Sequence, residues 1–233
     1  MHTFAESEDP YCLRAGESAR LLAGHPWRRF AVIGDSVAEG LAEPVPGYSE
    51  TQLADRLAGE LSATAPSFDY LNLGHRGLRT REIRASQLGT ALDFRPDLAL
   101  VVCGGNDAFP ATYRPDAVDI ELRAMVTALQ AAGADVITVG LYNVSYSPSA
   151  AIADWLRPGL RKRMRTLSEH TAAIAADLGT LHLNLTAHPA ATDPDMFSSD
   201  GRHGNARSDA IAVAEAVRLL GAHLAATHHV SRP

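Results

Sequence analysis

Apolar residues follow two alternating rhythms along the chain. Short runs with little polar interruption, at 30–33, 68–73, 97–103, 135–141 and 181–185, have the length and composition of buried strands. Between them apolar residues return every three or four positions. Leu53, Leu57 and Leu61 mark one face of a helix over 49–61. Ile120, Leu122, Met125, Val126 and Leu129 mark another over 116–132, which Gly133 ends. Further helices are expected over 17–23, 154–178 and 206–226, and over 80–88 with Thr80 as its cap.

The run Leu98-Ala99-Leu100-Val101-Val102 is apolar at every position, as in a parallel strand covered on both faces. Strand and helix alternate about five times without repeats or a linker, which calls for one doubly wound α/β domain with right-handed crossovers. Residues 1–29 read as a lead-in packed on that domain. A chain of 233 residues can bury one sizeable core. Its formal charge of −6 and pI near 5.9 argue against nucleic acid or an anionic membrane as partner. Two cysteines cannot form a disulfide framework. Cys103 lies in an apolar run and is expected to be buried, whereas Cys12 lies in a polar stretch. The first 29 residues lack a secretory h-region, and no apolar run approaches membrane-spanning length. A cytoplasmic protein without stable membrane insertion is expected.

Three of the runs break into glycine-rich polar turns: Gly34-Asp35-Ser36, Gly74-His75-Arg76-Gly77 and Gly104-Gly105-Asn106-Asp107. In a parallel sheet these turns share the edge where α/β proteins gather functional groups. Gly-Asp-Ser alone is ordinary turn chemistry; a nucleophilic serine also needs a base, an orienting acid and oxyanion donors. Asp200 and His203, just ahead of the final helix, supply the first two. An Asp three residues before a His can reach the imidazole Nδ1–H, fixing the tautomer that leaves Nε2 outward as a base. Ser36, Asp200 and His203 then form a triad. The candidate oxyanion donors are the backbone N–H groups of Ser36 and Gly77 and the side-chain amide of Asn106.

Together these motifs resemble the SGNH (GDSL) hydrolase family over most of the chain, from Phe30 to about Leu220. Gly34-Asp35-Ser36 followed by Gly40 is similar to its first block, and Asn72 with Gly77 five positions later to its second. Gly104-Gly105-Asn106-Asp107 is similar to the third block and Asp200 to His203 to the last. The resemblance implies a flavodoxin-like three-layer α/β/α sandwich around a five-stranded parallel sheet. It also implies hydrolysis of small-molecule esters or thioesters through an acyl-enzyme, without metal or cofactor, and it carries Ser36, Gly77, Asn106, Asp200 and His203 into the roles given above. Gly74 also lies in the second block, and the register of the turn decides between the two glycines. Acyl transfer to an alcohol or amine is the alternative activity, and a non-catalytic binding module on the same fold is a third reading. The lack of a Gly-x-Gly-x-x-Gly or Walker-type loop after any strand argues against a nucleotide-binding α/β protein.

The remaining polar features have plainer readings. Asp35 and Asp107 are expected to hold their loops by accepting backbone N–H groups. His75 adjoins the second block and could reach the cleft, and His228 and His229 lie in the C-terminal tail, where a metal role is not expected. Arg157, Arg161, Lys162, Arg163 and Arg165 read as a solvated basic face, with a dock for an acidic partner or acyl carrier as the alternative. Phe109, Tyr142, Tyr146 and Trp155 are candidates for an acyl pocket or for packing under the loops.

Overall fold

The computed structural model of the chain describes residues 5–65 and 67–230, the last three by backbone alone, so the side chains of His228 and His229 lie outside it. In chain order the elements are α1 (Glu17–Leu21), β1 (Arg29–Gly34), α2 (Ser36–Glu39), α3 (Leu53–Ser62), β2 (Asp69–Asn72), α4 (Thr80–Phe94) and β3 (Leu98–Val102). There follow α5 (Gly105–Ala108), α6 (Pro115–Ala131), β4 (Asp135–Gly140), α7 (Arg157–Leu178), β5 (Leu181–Asn184) and α8 (Ala206–Val230). The five strands form one all-parallel sheet in the order β2-β1-β3-β4-β5.

Side-chain alternation along the strands sorts the core into two layers. Phe30, Val32, Leu98, Leu100, Ile137 and Val139 face α3 and α8, whose Leu57, Leu61, Val213, Val217 and Leu220 complete that layer. Ile33, Ala99, Val101 and Val136 face the other way, onto Ile83 of α4, Leu122, Met125, Val126 and Leu129 of α6, and Ile174 of α7. Each fully buried Leu, Ile or Phe contributes about 1.5–3 kcal/mol to this three-layer sandwich.

Several boundaries differ from the sequence expectation, each for a tertiary reason. The third helix begins at Leu53 because residues 49–52 form an irregular segment pinned from outside, with the Ser49 N–H donated to Glu6 Oε2 at 2.9 Å. Thr80 does not cap α4. Arg79 is the N-cap, its N–H bonded to Glu82 Oε2 at 2.8 Å, and the helix continues past residue 88 to Phe94 because Ala91 is buried against the sheet layer. A separate 3₁₀ turn, Asp154–Leu156, precedes α7. Ile120 points out of the core and is 65% exposed, although its neighbours on the same pattern are buried. Cys12 is fully buried despite its polar sequence context, since residues around it are drawn under α8. The run in α8 does have the length and apolarity of a membrane span over Ala206–Thr227, contrary to the sequence reading. In this fold those residues serve as a core helix, with Ala210 through Ala214, Ala216, Val217 and Leu220 buried.

Residues ahead of β1 are tied to the far end of the chain. Arg218 of α8 bonds Glu17 and the carbonyls of Tyr11 and Cys12. Arg207 donates to Asp9 at 2.8 Å and Asp193 at 2.7 Å, with Arg207 and Asp9 both essentially excluded from water. A buried charge whose partner is removed is far more costly than an apolar replacement of the pair. Arg207→Leu is therefore expected to lower the unfolding free energy by about 3–5 kcal/mol in urea titrations, and adding Asp9→Leu to recover most of that loss. Equal losses in the single and double variants would contradict this account.

Candidate active site

The ends of β1, β2 and β3 adjoin one another in the sheet, and the three turns expected to carry chemistry lie there together. Gly34 closes β1, its N–H and C=O both taken by the buried Gln87 amide at 2.7 and 2.9 Å. The chain then turns through Asp35, whose carboxylate accepts the Val37 N–H at 3.1 Å and caps α2. Ser36 is thereby the first residue of α2 and lies at the floor of a cavity of about 330 Å³.

Across the cavity stands His203, with Nε2 2.7 Å from Ser36 Oγ and Nδ1 2.5 Å from Asp200 Oδ2. The local chain explains the pose. Asp200 Oδ1 accepts the N–H groups of Arg202 at 2.8 Å and His203 at 3.1 Å, which leaves Oδ2 for the imidazole. Burial alone would raise the Asp200 pKa, but those two N–H donors and the ring outweigh it and hold the carboxyl below its usual range.

This loop is braced by residues that carry no sequence signal. Glu43, in the loop after α2, accepts the Ser199 N–H through Oε2 at 2.5 Å, and its own N–H is donated to Ser198 Oγ at 3.2 Å. Ser149 donates to the Ser199 carbonyl at 2.5 Å. The Ser198 N–H bonds the His203 carbonyl at 2.9 Å, closing the turn from within.

The structure separates the two glycines of the second turn. The Gly74 N–H is donated to Asn72 Oδ1 at 2.9 Å, and a Cβ there would lie 2.3 Å from the Glu39 nitrogen, so Gly74 packs under α2. Gly77, at φ +82°, lines the cavity with Ser36 and Asn106. Arg76 holds this turn on α2 through Glu39, donating its N–H to Oε2 at 2.6 Å and its guanidinium Nη2 to Oε1 at 2.8 Å. Asn106 Nδ2 donates to the Leu78 carbonyl at 2.9 Å and lies 3.5 Å from Asp35 Oδ2. Asp107 accepts the Thr80 N–H and hydroxyl at 2.9 and 2.8 Å, tying the third turn to α4.

Of the aromatic candidates, Phe109 and the Tyr142 ring line the cavity. Tyr146 packs instead under Arg161, 4.4 Å from its ring, and Trp155 is 80% exposed. His75 does not line the cavity; its side chain is exposed while its N–H bonds the Gly34 carbonyl at 3.1 Å. The basic cluster is not a solvated face. Arg157 bonds the carbonyls of Ser145, Ser147 and Ser149, and Arg163 those of Ala108 and Phe109 at 2.8 and 2.7 Å. These arginines clip the loops around the cavity to α7, and only Lys162 and Arg165 of the five are exposed. Among the described residues, no group of three His, Cys, Asp or Glu side chains is placed to hold a metal ion.

Sequence reasoning missed Asp209. Its carboxylate lines the cavity among Leu41, Leu53, Leu185 and Ala212, and its Oδ2 accepts the Leu53 N–H at 3.2 Å. Burial pushes its pKa up to about 7, and burial likewise raises Asp35 to about 6. No motif contains Asp209, and a lone acid near the start of a helix carries no sequence signal of its own.

Residues 32–211 match the family described as GDSL-like lipase/acylhydrolase. Among solved structures, a lipase/acylhydrolase from Enterococcus faecalis is similar at 20% identity and a TM-score of 0.64, covering 84% of this chain and 96% of that one. An acetylxylan esterase from Geobacillus stearothermophilus is similar at 18% identity and a TM-score of 0.68, covering 85% and 95%. Two further structures of that esterase are catalytic mutants, one with a serine and one with a histidine replaced by alanine. No curated protein sequence matches the chain.

The raised carboxylates set a pH dependence of stability. With its pKa near 7, Asp209 binds more proton in the folded than in the unfolded chain between about pH 4 and 7, so stability falls as pH rises through that window. Asp209→Asn keeps an acceptor for the Leu53 N–H and removes the charge. Its unfolding midpoint is expected above that of the wild type at pH 8, with the gain vanishing near pH 4 in parallel thermal melts. A gain of the same size at both pH values would refute burial of the charge as its cause.

Proposed function

The chain belongs to the GDSL-like lipase/acylhydrolase family and is a carboxylic ester hydrolase, and from that premise we propose that Ser36, His203 and Asp200 hydrolyse esters or thioesters through an acyl-enzyme. The observation that carries this reading is the unbroken hydrogen-bonded path from Ser36 Oγ through the His203 ring to Asp200. A serine hydroxyl at 2.7 Å from an imidazole nitrogen is within reach for proton transfer as it attacks. The Asp200 carboxylate fixes the tautomer and stabilises the imidazolium that forms.

Attack forms the Oγ–C bond and moves the hydroxyl proton to Nε2. The carbonyl oxygen becomes an oxyanion, for which the N–H groups of Ser36 and Gly77 and the Asn106 amide are the donors. Collapse breaks the bond to the leaving alcohol or thiol, which takes the proton from His203. Water, deprotonated by the same imidazole, then cleaves the acyl-enzyme and restores Ser36. The catalytic mutants of the Geobacillus esterase, which replace a serine and a histidine, support this assignment of roles by analogy.

A serine-directed phosphonate is expected to label Ser36, read by intact-mass and peptide mass spectrometry, and Ser36→Ala to abolish aryl-ester hydrolysis. Labelling elsewhere, or hydrolysis unchanged in Ser36→Ala, would overturn the assignment. Asn106→Ala is expected to lower kcat about a hundredfold or more, as loss of one oxyanion donor does. A fall confined to KM would instead assign Asn106 to substrate binding.

A further inference from the structure

The cavity is mostly apolar on the side of α3 and α8, yet one acid breaks it. Asp209 lies six residues beyond His203, and with Ser208 and Ala212 it forms the α8 wall of the cavity that holds Ser36. Leu41, Leu53, Leu185 and the Tyr142 ring also line this cavity. One carboxylate oxygen, Oδ2, accepts the Leu53 N–H. The other, Oδ1, accepts no hydrogen bond from any described residue and is not sealed from solvent. Arg56, the cation whose field reaches it, is paired with Glu6 through Nη2, while its buried Nη1 makes no hydrogen bond to Oδ1.

A structural role accounts for only half of this group. Accepting one helix N–H requires a single neutral acceptor, which Asn or Ser would supply. A carboxylate set among leucines, largely desolvated yet with one acceptor open to the cavity, is instead a group whose burial costs less once a ligand donor reaches it. The same burial that pushes this carboxyl up to about 7 would be relieved by a ligand donor at Oδ1.

We propose that Asp209 is a specificity-determining residue, and that the portion of the ester lodged against α8 carries a hydrogen-bond donor, a hydroxyl or an ammonium group, which binds Asp209 Oδ1. This deepens the reading of Ser36 as nucleophile and rests on it. Hydrocarbon chains fit the leucine wall but leave Oδ1 unpaired. A site with such an open polar group discriminates strongly against ligands that cannot satisfy it.

Isosteric esters test the idea. The 4-nitrophenyl esters of heptanoate, 6-hydroxyhexanoate and 6-aminohexanoate differ only in a terminal methyl, hydroxyl or ammonium. Matching acetates of alcohols ending in the same three groups probe the leaving-group side. In one of the two series the wild-type protein is expected to favour hydroxyl or ammonium over methyl by about tenfold or more in kcat/KM. Asp209→Leu is expected to bring that ratio to one or below. Asp209→Asn distinguishes the donors, since it keeps a preference for hydroxyl and loses one for ammonium. A wild-type ratio at or below one in both series overturns the proposal, as does a ratio that survives in Asp209→Leu with near-UV circular dichroism and phosphonate labelling like the wild type. If Asp209→Leu fails to fold, the wild-type ratios and Asp209→Asn still decide. No hydrolysis of any ester in either series by the wild type, or equal cleavage by Ser36→Ala, would instead break the Ser36 reading itself.

Discussion

The place of β1 in the sheet is the constraint on which the site depends. In a parallel sheet every strand ends at the same edge, and in the order β2-β1-β3-β4-β5 the chain reverses direction of growth beside β1. A crevice opens at such a reversal, because successive crossovers leave on opposite faces. Ser36 follows β1 directly, Gly77 follows its neighbour β2, and Asn106 follows its other neighbour β3. Three short turns thus meet without any of them being long. His203 arrives by a different route, on a loop that must be brought over the edge and held there.

That difference decides where the molecule uses charge. The strands are fixed by backbone pairing, and the end of β1 also by a neutral group, the Gln87 amide on both polar atoms of Gly34. The loops above them are fixed by ions. Glu43 accepts from the loop that carries Asp200 and His203, Arg207 anchors the segment just after it to Asp9 and Asp193, and Arg157 and Arg163 clip the opposite wall. Charge-assisted bonds of this kind are stronger than neutral ones and impose direction. They suit loops that have little apolar surface of their own to bury.

What the sequence made legible follows from the range of the interactions involved. The strands, the two-layer core and the three turns are local patterns, and Asp200 and His203 reach each other across a three-residue spacing that any reader of the chain can see. Register within the second turn was beyond that reach. It depends on whether Gly74 or Gly77 packs under α2, and the collision of a Gly74 Cβ with the Glu39 nitrogen is a tertiary fact. The same holds for the arginines of α7. Their spacing is that of a solvated face, and only the carbonyls of residues 108, 109, 145, 147 and 149 above them turn them into clips. Helix boundaries failed for the same cause, since Glu6 holds Ser49 in an irregular segment that the sequence pattern alone would have made helical.

Asp209 shows why specificity is harder to read than chemistry. The reaction calls for fixed residue types at fixed separations, so its groups recur as motifs, whereas a binding wall calls only for a surface of suitable shape with a polar atom in one place. On α8 that atom belongs to a helix whose inward residues are mostly alanine, valine, isoleucine and leucine, and its sequence neighbours give it no emphasis. Its significance comes from what surrounds it in space: leucines from the loop after α2, from the start of α3 and from the end of β5, with Ser36 in the same cavity. A carboxylate retained there against the cost of its own burial keeps one acceptor open to the cavity that holds Ser36, where a donor on the substrate can meet it.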